Sequence, residues 1–359
     1  MSGFVRREES PLEKRPTIRD VALRAGVSVA TASNVVNGNR PVGEASRRRV
    51  VEAIEALGYR LDRAASALRG QSTRLVGMVV PDINNVFFAG LVDRVEREAE
   101  RDGYDLLIAS SSEDPAVERR RIEALIARRI DGLVVVPARD DSMLSLKGDD
   151  KPRLPPTVLL DRGAASDGFD TVRADCEAGG YAAARHLIGL GHRDIAVLAH
   201  SEHYQNIAQR IAGCRRALHE AGLQGRERVV CGGHDLESLR GAIEMELHRA
   251  ERPTAIFALT NICALASIKA ARGLGLDIPG EVSIVGFDDF DWMFALRPYL
   301  TTVAQPVDDF ASSSWGLLMR RLSGDAANAE NIELPCALKV RESTGPARSR
   351  LKAVAEAHC

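Results

Sequence analysis

Residues 17–38 read TIRDVALRAGVSVATASNVVNG, and this stretch decides the fold of the first part of the chain. Thr17 and Asp20 have the spacing of a capping box at the start of a helix. Gly26 is expected to end that helix, and Ser28 is expected to cap a second one. Two short helices joined by an Ala-Gly-Val-Ser turn are typical of a helix-turn-helix.

Apolar residues at helical spacing predict the core of this small head. The second helix is expected to stop at Gly38, and a third is expected over residues 44–57. The side chains expected to face the core are Ile18, Val21, Ala22, Ala25, Val27, Ala32, Val35, Val36, Val50, Val51, Ile54 and Leu57.

The outward face of the second helix suits the major groove of DNA. It carries Val29, Ala30, Ser33, Asn34 and Asn37. The Asn34 amide can pair with an adenine edge, while Val29 and Ala30 can contact a thymine methyl group. Hydroxyl donors for the phosphates are expected from Thr17, Ser28, Thr31 and Ser33. The same pattern also fits a small three-helix bundle with a polar face and no role in DNA binding.

Residues 62–70, DRAASALRG, are predicted to form a short connecting helix. Such a segment is too short to be a stable helix alone in water, so it would order against a second copy or against DNA. Leu68, presented at a two-fold axis, could wedge a base step from the minor groove. The alternative is a plain linker with a buried leucine.

Charge is distributed unevenly along the chain. Residues 17–74 hold ten arginines, no lysine and five carboxylates, a net charge of +5, so the rest carries −7 of the total of −2. A basic head confines attraction for a polyanion to one end of the chain. Residues 1–16 lack the apolar segment of a secretory signal and are expected to form a disordered leader.

Composition and motifs restrict the functional class. No apolar run approaches the ~20 residues of a membrane span. The six cysteines lie far apart without a CxxC pair, which indicates buried free thiols in a cytoplasmic protein.

The His-Ser-Glu-His cluster at residues 200–203 has no third matched ligand and is expected to be solvated, not to bind a metal. No GxGxxG links a first strand to its helix, and no GxSxG occurs, so a Rossmann-type enzyme is the weaker alternative.

From about residue 74 the chain alternates β-rich runs with helical patterns, which predicts parallel sheets with helices on both faces. The runs are LVGMVVPD, YDLLIASS, GLVVVPA, TVLLDR, IAVLAH, VVCGG, AIFALT and SIVGFDD. A second series of strand and helix patterns begins near Gly191 and indicates two lobes. Ligands of open α/β sheets gather at the carboxyl ends of the strands. The polar and aromatic groups found just past these runs, together with one arginine at the start of a helix, suit a polyol or sugar-like ligand. They are Asn85, Phe88, Asp161, Arg162, Arg210, His234, Thr260, Asn261, Asp288 and Asp289.

The phrases TIRDVA, AGVS, ATASNVVNG, AIEALGY, PDINNVFF, LGHRDIAVL and GLDIPGEVSIVGFDD, in this order, resemble the lactose-repressor (LacI/GalR) family along nearly the whole chain. The resemblance implies a small all-α helix-turn-helix headpiece plus an α/β periplasmic-binding-protein-like core of two doubly wound parallel-sheet lobes. It also implies a cytoplasmic transcriptional repressor that binds a pseudo-palindromic operator as a homodimer. A sugar, sugar acid or related metabolite bound between the lobes would control it, without a cofactor.

The residue patterns and the resemblance together give the expected domains and site residues. The expected domains are a leader (1–16), a helix-turn-helix domain (17–60), a hinge (61–73), an effector-binding and dimerisation core (74–345) and a tail (346–359) that is too short for several heptads. The expected DNA contacts are Thr17, Ser28, Val29, Ala30, Thr31, Ser33, Asn34, Asn37, Tyr59, Ala65 and Leu68. The expected effector contacts are Asn85, Phe88, Asp161, Arg210, His234, Asn261 and Asp288.

Overall fold

The computed structural model describes residues 16–37, 40–59, 72–143, 154–163, 168–295 and 297–348. The chain divides into two compact units between Thr73 and Arg74, a head and a body. The expected leader up to residue 15, Gly38, the hinge residues Ala65 and Leu68, and the tail from residue 349 lie outside the described residues.

The head contains three helices, α1 (Ile18–Ala25), α2 (Val29–Asn37) and α3 (Glu44–Leu57). The Asp20 carboxylate accepts hydrogen bonds from the backbone N–H and the hydroxyl of Thr17, both at 2.7 Å, at the start of α1. Gly26, with a φ of 62°, ends α1 in the left-handed conformation. The Ser28 hydroxyl accepts from the Thr31 N–H at 3.0 Å and caps α2. The predicted helix-turn-helix is therefore confirmed, including its capping residues and the glycine that ends α1.

The core of the head is made of small side chains. The buried ones are Val21, Ala22, Ala25, Ala32, Val50 and Ala53. The prediction that Val51 faces this core is wrong, because its side chain is 42% exposed. The inward stripe of α3 runs through Val50, Ala53 and Ile54, and one residue further along a helix is rotated by about 100° from that stripe.

The body contains twelve described strands and seven α-helices. The strands are β1 (Leu75–Val80), β2 (Asp105–Ser110), β3 (Gly132–Val135), β4 (Thr157–Leu160), β5 (Asp170–Ala174), β6 (Ile195–Ala199), β7 (Glu227–Cys231), β8 (Ala255–Ala258), β9 (Ser283–Phe287), β10 (Thr301–Ala304), β11 (Asn331–Leu334) and β12 (Ala337–Lys339). The helices are α4 (Val86–Arg101), α5 (Pro115–Ala127), α6 (Cys176–Gly189), α7 (Gln205–Glu220), α8 (Leu236–Leu247), α9 (Asn261–Gly273) and α10 (Val307–Leu322). None of these helices is long and apolar enough to cross a membrane.

The strands form two six-stranded sheets, and each sheet is the centre of one lobe. Lobe one has the order β11-β5-β4-β3-β1-β2, and lobe two has the matching order β12-β10-β9-β8-β6-β7. The ladders are parallel except for the antiparallel β10–β12 pair. The two-lobed, doubly wound prediction is confirmed. Eight of these strands coincide with the apolar runs of the sequence, whereas β5, β10, β11 and β12 were not predicted.

Helices cover both faces of each sheet, as the alternation of buried side chains requires. In β1, Val76 and Met78 belong to one apolar cluster with α4 and α10, whereas Val79 belongs to another cluster with Ile122 and Leu125 of α5. Lobe two follows the same plan, with α6 and α7 on one face and α8 and α9 on the other. The core is therefore layered as the periodicity predicts.

The chain passes between the lobes three times. Strand β5 of lobe one leads to α6, which packs on lobe two, and β10 of lobe two leads to α10, which packs on lobe one. The third passage joins β11 to β12. These passages place the carboxyl ends of both sheets beside a common cleft.

The cysteines agree in part with their prediction. Cys176, Cys214 and Cys263 are buried free thiols, whereas Cys231 is free but exposed at the end of an edge strand and Cys336 is half-buried. Burial raises the pKa of Cys214 to about 12 and that of Cys263 to about 12, so these thiols stay protonated. Cys359 lies outside the described residues.

Candidate ligand-binding site and nucleic-acid interface

A cavity of about 440 Å³ lies between the two lobes of the body. This volume falls within the range of roughly 300–1,000 Å³ that small-molecule sites occupy. The structure brings all seven predicted effector residues into its wall, namely Asn85, Phe88, Asp161, Arg210, His234, Asn261 and Asp288. They come from loops and helices after six different strands, which is why no local motif contains them.

Two buried aspartates occupy equivalent positions in the two lobes. Asp161 follows β4 with a φ of 60°, and Asp288 follows β9 with a φ of 76°. Each N–H donates to the neighbouring strand at 2.9 Å, to the carbonyl oxygens of Val172 and Val303. Positive φ is uncommon for residues with a side chain and is maintained only where the surroundings enforce it. Burial raises the pKa of both carboxyl groups.

Arg210 reaches the cavity from the second turn of α7 and is only 3% exposed. Its guanidinium carbon lies 3.6 Å from the centre of the Phe287 ring, and Nη1 donates to the carbonyl oxygen of Leu259. Burial lowers the pKa of this guanidinium, but the neighbouring thiol of Cys176 and the two aspartates raise it by more. Arg210 therefore stays charged and offsets part of the acidity of the cleft.

Arg162 forms a second basic position on the side of lobe one. Its Nη1 and Nη2 donate to the two carboxylate oxygens of Glu113, at 2.7 and 3.2 Å. The guanidinium carbon lies 4.2 Å from the centre of the Tyr204 ring and 5.6 Å from that of Phe88. The side chain of Arg162 is 5% exposed and that of Glu113 29%, and the bidentate pair holds the guanidinium beside the rings of Tyr204 and Phe88.

Four hydrogen bonds cross the cleft from lobe two to lobe one. The Asn261 and Asn206 amides, the Tyr204 hydroxyl and the Gln205 N–H are the donors. Their acceptors are the side-chain oxygens of Asn85 (2.9 Å), Asp161 (3.1 Å), Glu113 (3.2 Å) and Asp140 (2.7 Å), in that order. A molecule in the cavity therefore lies among groups whose hydrogen bonds join the lobes.

The prediction that residues 200–203 are solvated is wrong for His200. Its ring lies 5.2 Å from that of His234 and 5.3 Å from that of Tyr204, in the wall of the cavity. Burial, with some repulsion from His234, lowers its pKa to about 3, so the ring is neutral. The residue follows β6 at the carboxyl end of the sheet, where the strand rule would have placed it. Within the described residues, no group of three or more metal-binding side chains occurs.

The predicted DNA contacts within the described part of the head differ in their exposure. Val29 and Ala30 are exposed on α2, and Thr31, Ser33 and Asn34 are half-buried on the same helix. Thr17 and Ser28 are exposed at the helix starts that they cap, whereas Tyr59 packs against the core of the head. Asn37 is the last residue of α2, and its side chain is not among those that the structure describes.

Comparison with known proteins gives the family. Residues 17–62 match the model for bacterial regulatory proteins of the lacI family, and residues 184–344 match a periplasmic binding protein-like domain. Catabolite control protein A of Priestia megaterium is 33% identical over 332 residues, which cover 91% of this chain and 99% of that protein. The chain belongs to the lacI family.

Solved structures of the lacI family show the same architecture. The lac repressor dimer, bound to operator and the anti-inducer ONPF, matches with a TM-score of 0.82 at 26% identity, over 92% of this chain and 100% of that one. The complex of the transcriptional regulator CelR with cellobiose matches with a TM-score of 0.67 at 29% identity, over 92% and 100%. This lacI-family chain is thus a DNA-binding regulator of transcription with a head and a two-lobed body.

Several wall residues of this lacI-family protein were not predicted as site residues. They are Asp82, Asn84, Glu113, His200, Asn206, Trp292 and Gln305. Asn206 lies one helical turn before Arg210, so helical spacing could have found it. Gln305 follows β10, and it was missed because that strand was missed. Glu113 lies in a loop with a φ of 58°, for which the sequence carries no signal.

Proposed function

We propose that this lacI-family chain is a cytoplasmic, homodimeric repressor whose affinity for a pseudo-palindromic operator depends on a small molecule bound between its lobes. One observation carries the proposal: seven polar and aromatic side chains from distant parts of the chain surround one cavity in a protein that also has a helix-turn-helix head. A DNA reader joined to a receptor is the arrangement that regulation by a metabolite needs.

The exposed face of α2 supports the DNA-binding part of the proposal. Asn34 reads an adenine edge, Val29 and Ala30 contact thymine methyl groups, and hydroxyls such as that of Thr17 bind phosphates. Leu68, which lies outside the described residues, is proposed to enter the minor groove. Two copies related by a two-fold axis place two heads on two half-sites. The lac repressor, a similar protein, is a dimer in its structure with operator.

The wall of the cavity supports a carbohydrate-like effector. Carboxylates, amides and arginine donors alternate around Phe88 and Trp292, and such walls suit a molecule with many hydroxyl groups. The CelR complex contains cellobiose, and a lacI-family regulator from Enterococcus faecium contains ribose. A sugar, a sugar acid or a related metabolite is therefore the proposed effector of this chain.

Coupling between the cavity and the operator requires that the ligand bind the two arrangements of the lobes unequally. A difference of about 1–3 kcal/mol is typical of such coupling. The four hydrogen bonds across the cleft are the contacts that a ligand can replace or strengthen. Their rearrangement changes the relation of the lobes and hence the ordering of the hinges.

Selection of DNA from a random duplex library by the whole protein tests the proposed function. We expect one pseudo-palindromic sequence to be enriched, with binding that weakens steeply as salt rises. Recovery of unrelated sequences, or of none in low salt, would rule out an operator-specific repressor. We propose further that the chain is not an enzyme, and a metabolite converted with turnover by the purified protein would favour the Rossmann-type alternative instead.

A further inference from the structure

Resting on the proposed function, we infer that Asp140 of lobe one and the buried Glu118 behind it are positioning residues of the regulator. Asp140 caps α7 from the opposite lobe, and Glu118 fixes the loop that carries Asp140. Because α7 holds Asn206 and Arg210 in the wall of the cavity, this cap ties the geometry of the site to the arrangement of the lobes.

The start of α7 differs from the starts of most other helices of the body. Within the described residues, Tyr204, which precedes α7, makes no side-chain hydrogen bond to the first turn, and that turn holds no acidic residue. Five of the described helices begin after a residue whose side chain accepts from a first-turn N–H. These capping residues are Asn85, Asp114, Asp175, Asp235 and Thr260. The first turn of α7 therefore needs an acceptor from elsewhere in the molecule.

Asp140 supplies that acceptor from lobe one. Its Oδ2 accepts a hydrogen bond at 2.7 Å from the N–H of Gln205, the first residue of α7, which lies 65 residues further along the chain. The other carboxylate oxygen, Oδ1, is buried and has no hydrogen-bond partner among the described residues. The partial positive charge at the N-terminus of this 16-residue helix stabilises the carboxylate there. Separation of the lobes removes both the acceptor and the charge, so the order of the first turn depends on the arrangement of the lobes.

Glu118 holds the loop of Asp140 from behind. It lies in the first turn of α5, is 1% exposed and accepts hydrogen bonds from the Ala138 N–H and the Ser142 hydroxyl, one on each side of Asp140 in the chain. Burial raises the pKa of this carboxyl group, and the two hydrogen bonds oppose that rise. The Ala138 carbonyl oxygen in turn accepts from Arg162 Nη1 at 3.4 Å. The loop is thus fixed at residues 138 and 142, and Asp140 lies between these two points.

The close packing of α7 on α6 carries its position to a passage between the lobes. A Cβ atom at Gly180 of α6 would lie 2.1 Å from the Arg210 carbonyl oxygen, and one at Gly213 of α7 would lie 2.0 Å from the Glu177 carbonyl oxygen. Backbones that approach this closely leave little room for one helix to shift against the other. Helix α6 follows β5 directly, where the chain first passes from lobe one to lobe two. A change at the start of α7 therefore reaches a segment that joins the lobes.

Amide hydrogen exchange of the whole protein tests the cap. We expect Asp140→Ala to speed exchange in the first turn of α7 by roughly three- to thirtyfold, the usual effect of losing a helix cap, while the middle of α7 keeps its protection. Asp140→Asn keeps an acceptor oxygen and loses only the charge, so the increase should be smaller. Asp235→Ala removes the cap of α8 within lobe two and is the matched control, which should leave α7 unchanged. A wild-type exchange rate in the first turn of α7 in Asp140→Ala would overturn the inference.

Variants of Glu118 separate positioning from simple stabilisation. We expect Glu118→Ala to speed exchange in the first turn of α7 by a similar factor, although α7 belongs to the other lobe, and to add nothing further when combined with Asp140→Ala. Glu118→Gln can accept from Ala138 and donate to Ser142, so it should restore the wild-type rate. Asp170→Ala breaks a buried pair with Arg321 in the same lobe and is the control for lost stability alone. Equal effects of Glu118→Ala and Asp170→Ala on α7 would show that Glu118 does not act through Asp140.

Operator binding connects the cap to regulation. With the selected operator, the affinity of Asp140→Ala should differ by at least roughly threefold from that of Asp235→Ala, because loss of the cap changes the balance between the arrangements of the lobes. Equal affinities would overturn the regulatory role of Asp140. If the operator is bound selectively while the amides of α7 do not respond to Asp140→Ala, the inference is wrong and the repressor proposal stands. If α7 responds as expected but no DNA is bound selectively, the proposed function is wrong and the positioning of α7 by Asp140 holds.

Discussion

The head and the body place their proposed functional residues in opposite environments. In the head, Val29, Ala30 and Asn34 lie on the outer side of a helix over a core of small side chains. In the body, Asp161 and Arg210 are almost fully buried and hydrogen-bonded or stacked against their neighbours. Recognition by the head can therefore change at little cost in stability, whereas recognition by the body is tied to the packing of the lobes.

The largest effect is expected from Arg210→Ala. The substitution removes the buried guanidinium that stabilises the carboxylate of Asp288 and, together with Arg162, that of Asp161, and loss of a buried charge partner costs about 3–5 kcal/mol of unfolding free energy. Urea denaturation of the body would measure it. Arg94→Ala is the matched control, because this arginine pairs with Asp308 at an exposed position (38% and 85% exposed side chains) and should cost about 0–1 kcal/mol. Equal losses for the two variants would contradict the comparison.

A smaller effect, on specificity alone, is expected from Asn34→Ala. Loss of the amide should reduce discrimination at one base pair of the selected operator by ~1–3 kcal/mol. Because the side chain is half-exposed and alanine favours helices, unfolding free energy should change by less than about 0.5 kcal/mol. Binding measured for every single-base variant of the operator gives the result. An unchanged specificity profile would remove Asn34 from the reading face.

The free energy of unfolding is expected to fall by about 2 kcal/mol between pH 7 and pH 5 because of His200. Its pKa is lowered to about 3 in the folded protein against 6.5 in an unfolded chain, so the unfolded state binds the proton first as the pH falls. Stability that is present above pH 6.5 is therefore lost progressively below it. His200→Phe should lose about 2 kcal/mol less than wild type between pH 7 and pH 5. Parallel curves for the two proteins would show that the ring is not buried.

The same contrast explains what the sequence could predict. Capping residues and apolar stripes act locally, so the helices of the head followed from Thr17, Gly26 and Ser28. Uninterrupted apolar runs located the other eight strands, including the outer strands β2 and β7. The four missed strands are short and mix polar with apolar residues, as in DTVRA and NIEL, so they contain no uninterrupted apolar run.

The candidate cleft was predictable only in part. The rule that ligands meet the carboxyl ends of strands placed seven side chains around one cavity. It found Arg162 but not its partner Glu113, because Glu113 lies in a left-handed loop and the pair joins segments 49 residues apart. It also failed at His200, whose ring is packed against Tyr204 although Glu202 and His203 of the same cluster are exposed.

Occupancy of the cleft is proposed to change operator binding, and one titration tests this coupling. Fluorescence anisotropy of the selected operator would be measured with the whole protein, with and without the sugar or sugar acid that most raises its melting temperature. A coupling of about 1–3 kcal/mol predicts that the compound shifts operator affinity by roughly 5- to 150-fold. A compound that occupies the cleft and leaves operator affinity unchanged would contradict the account.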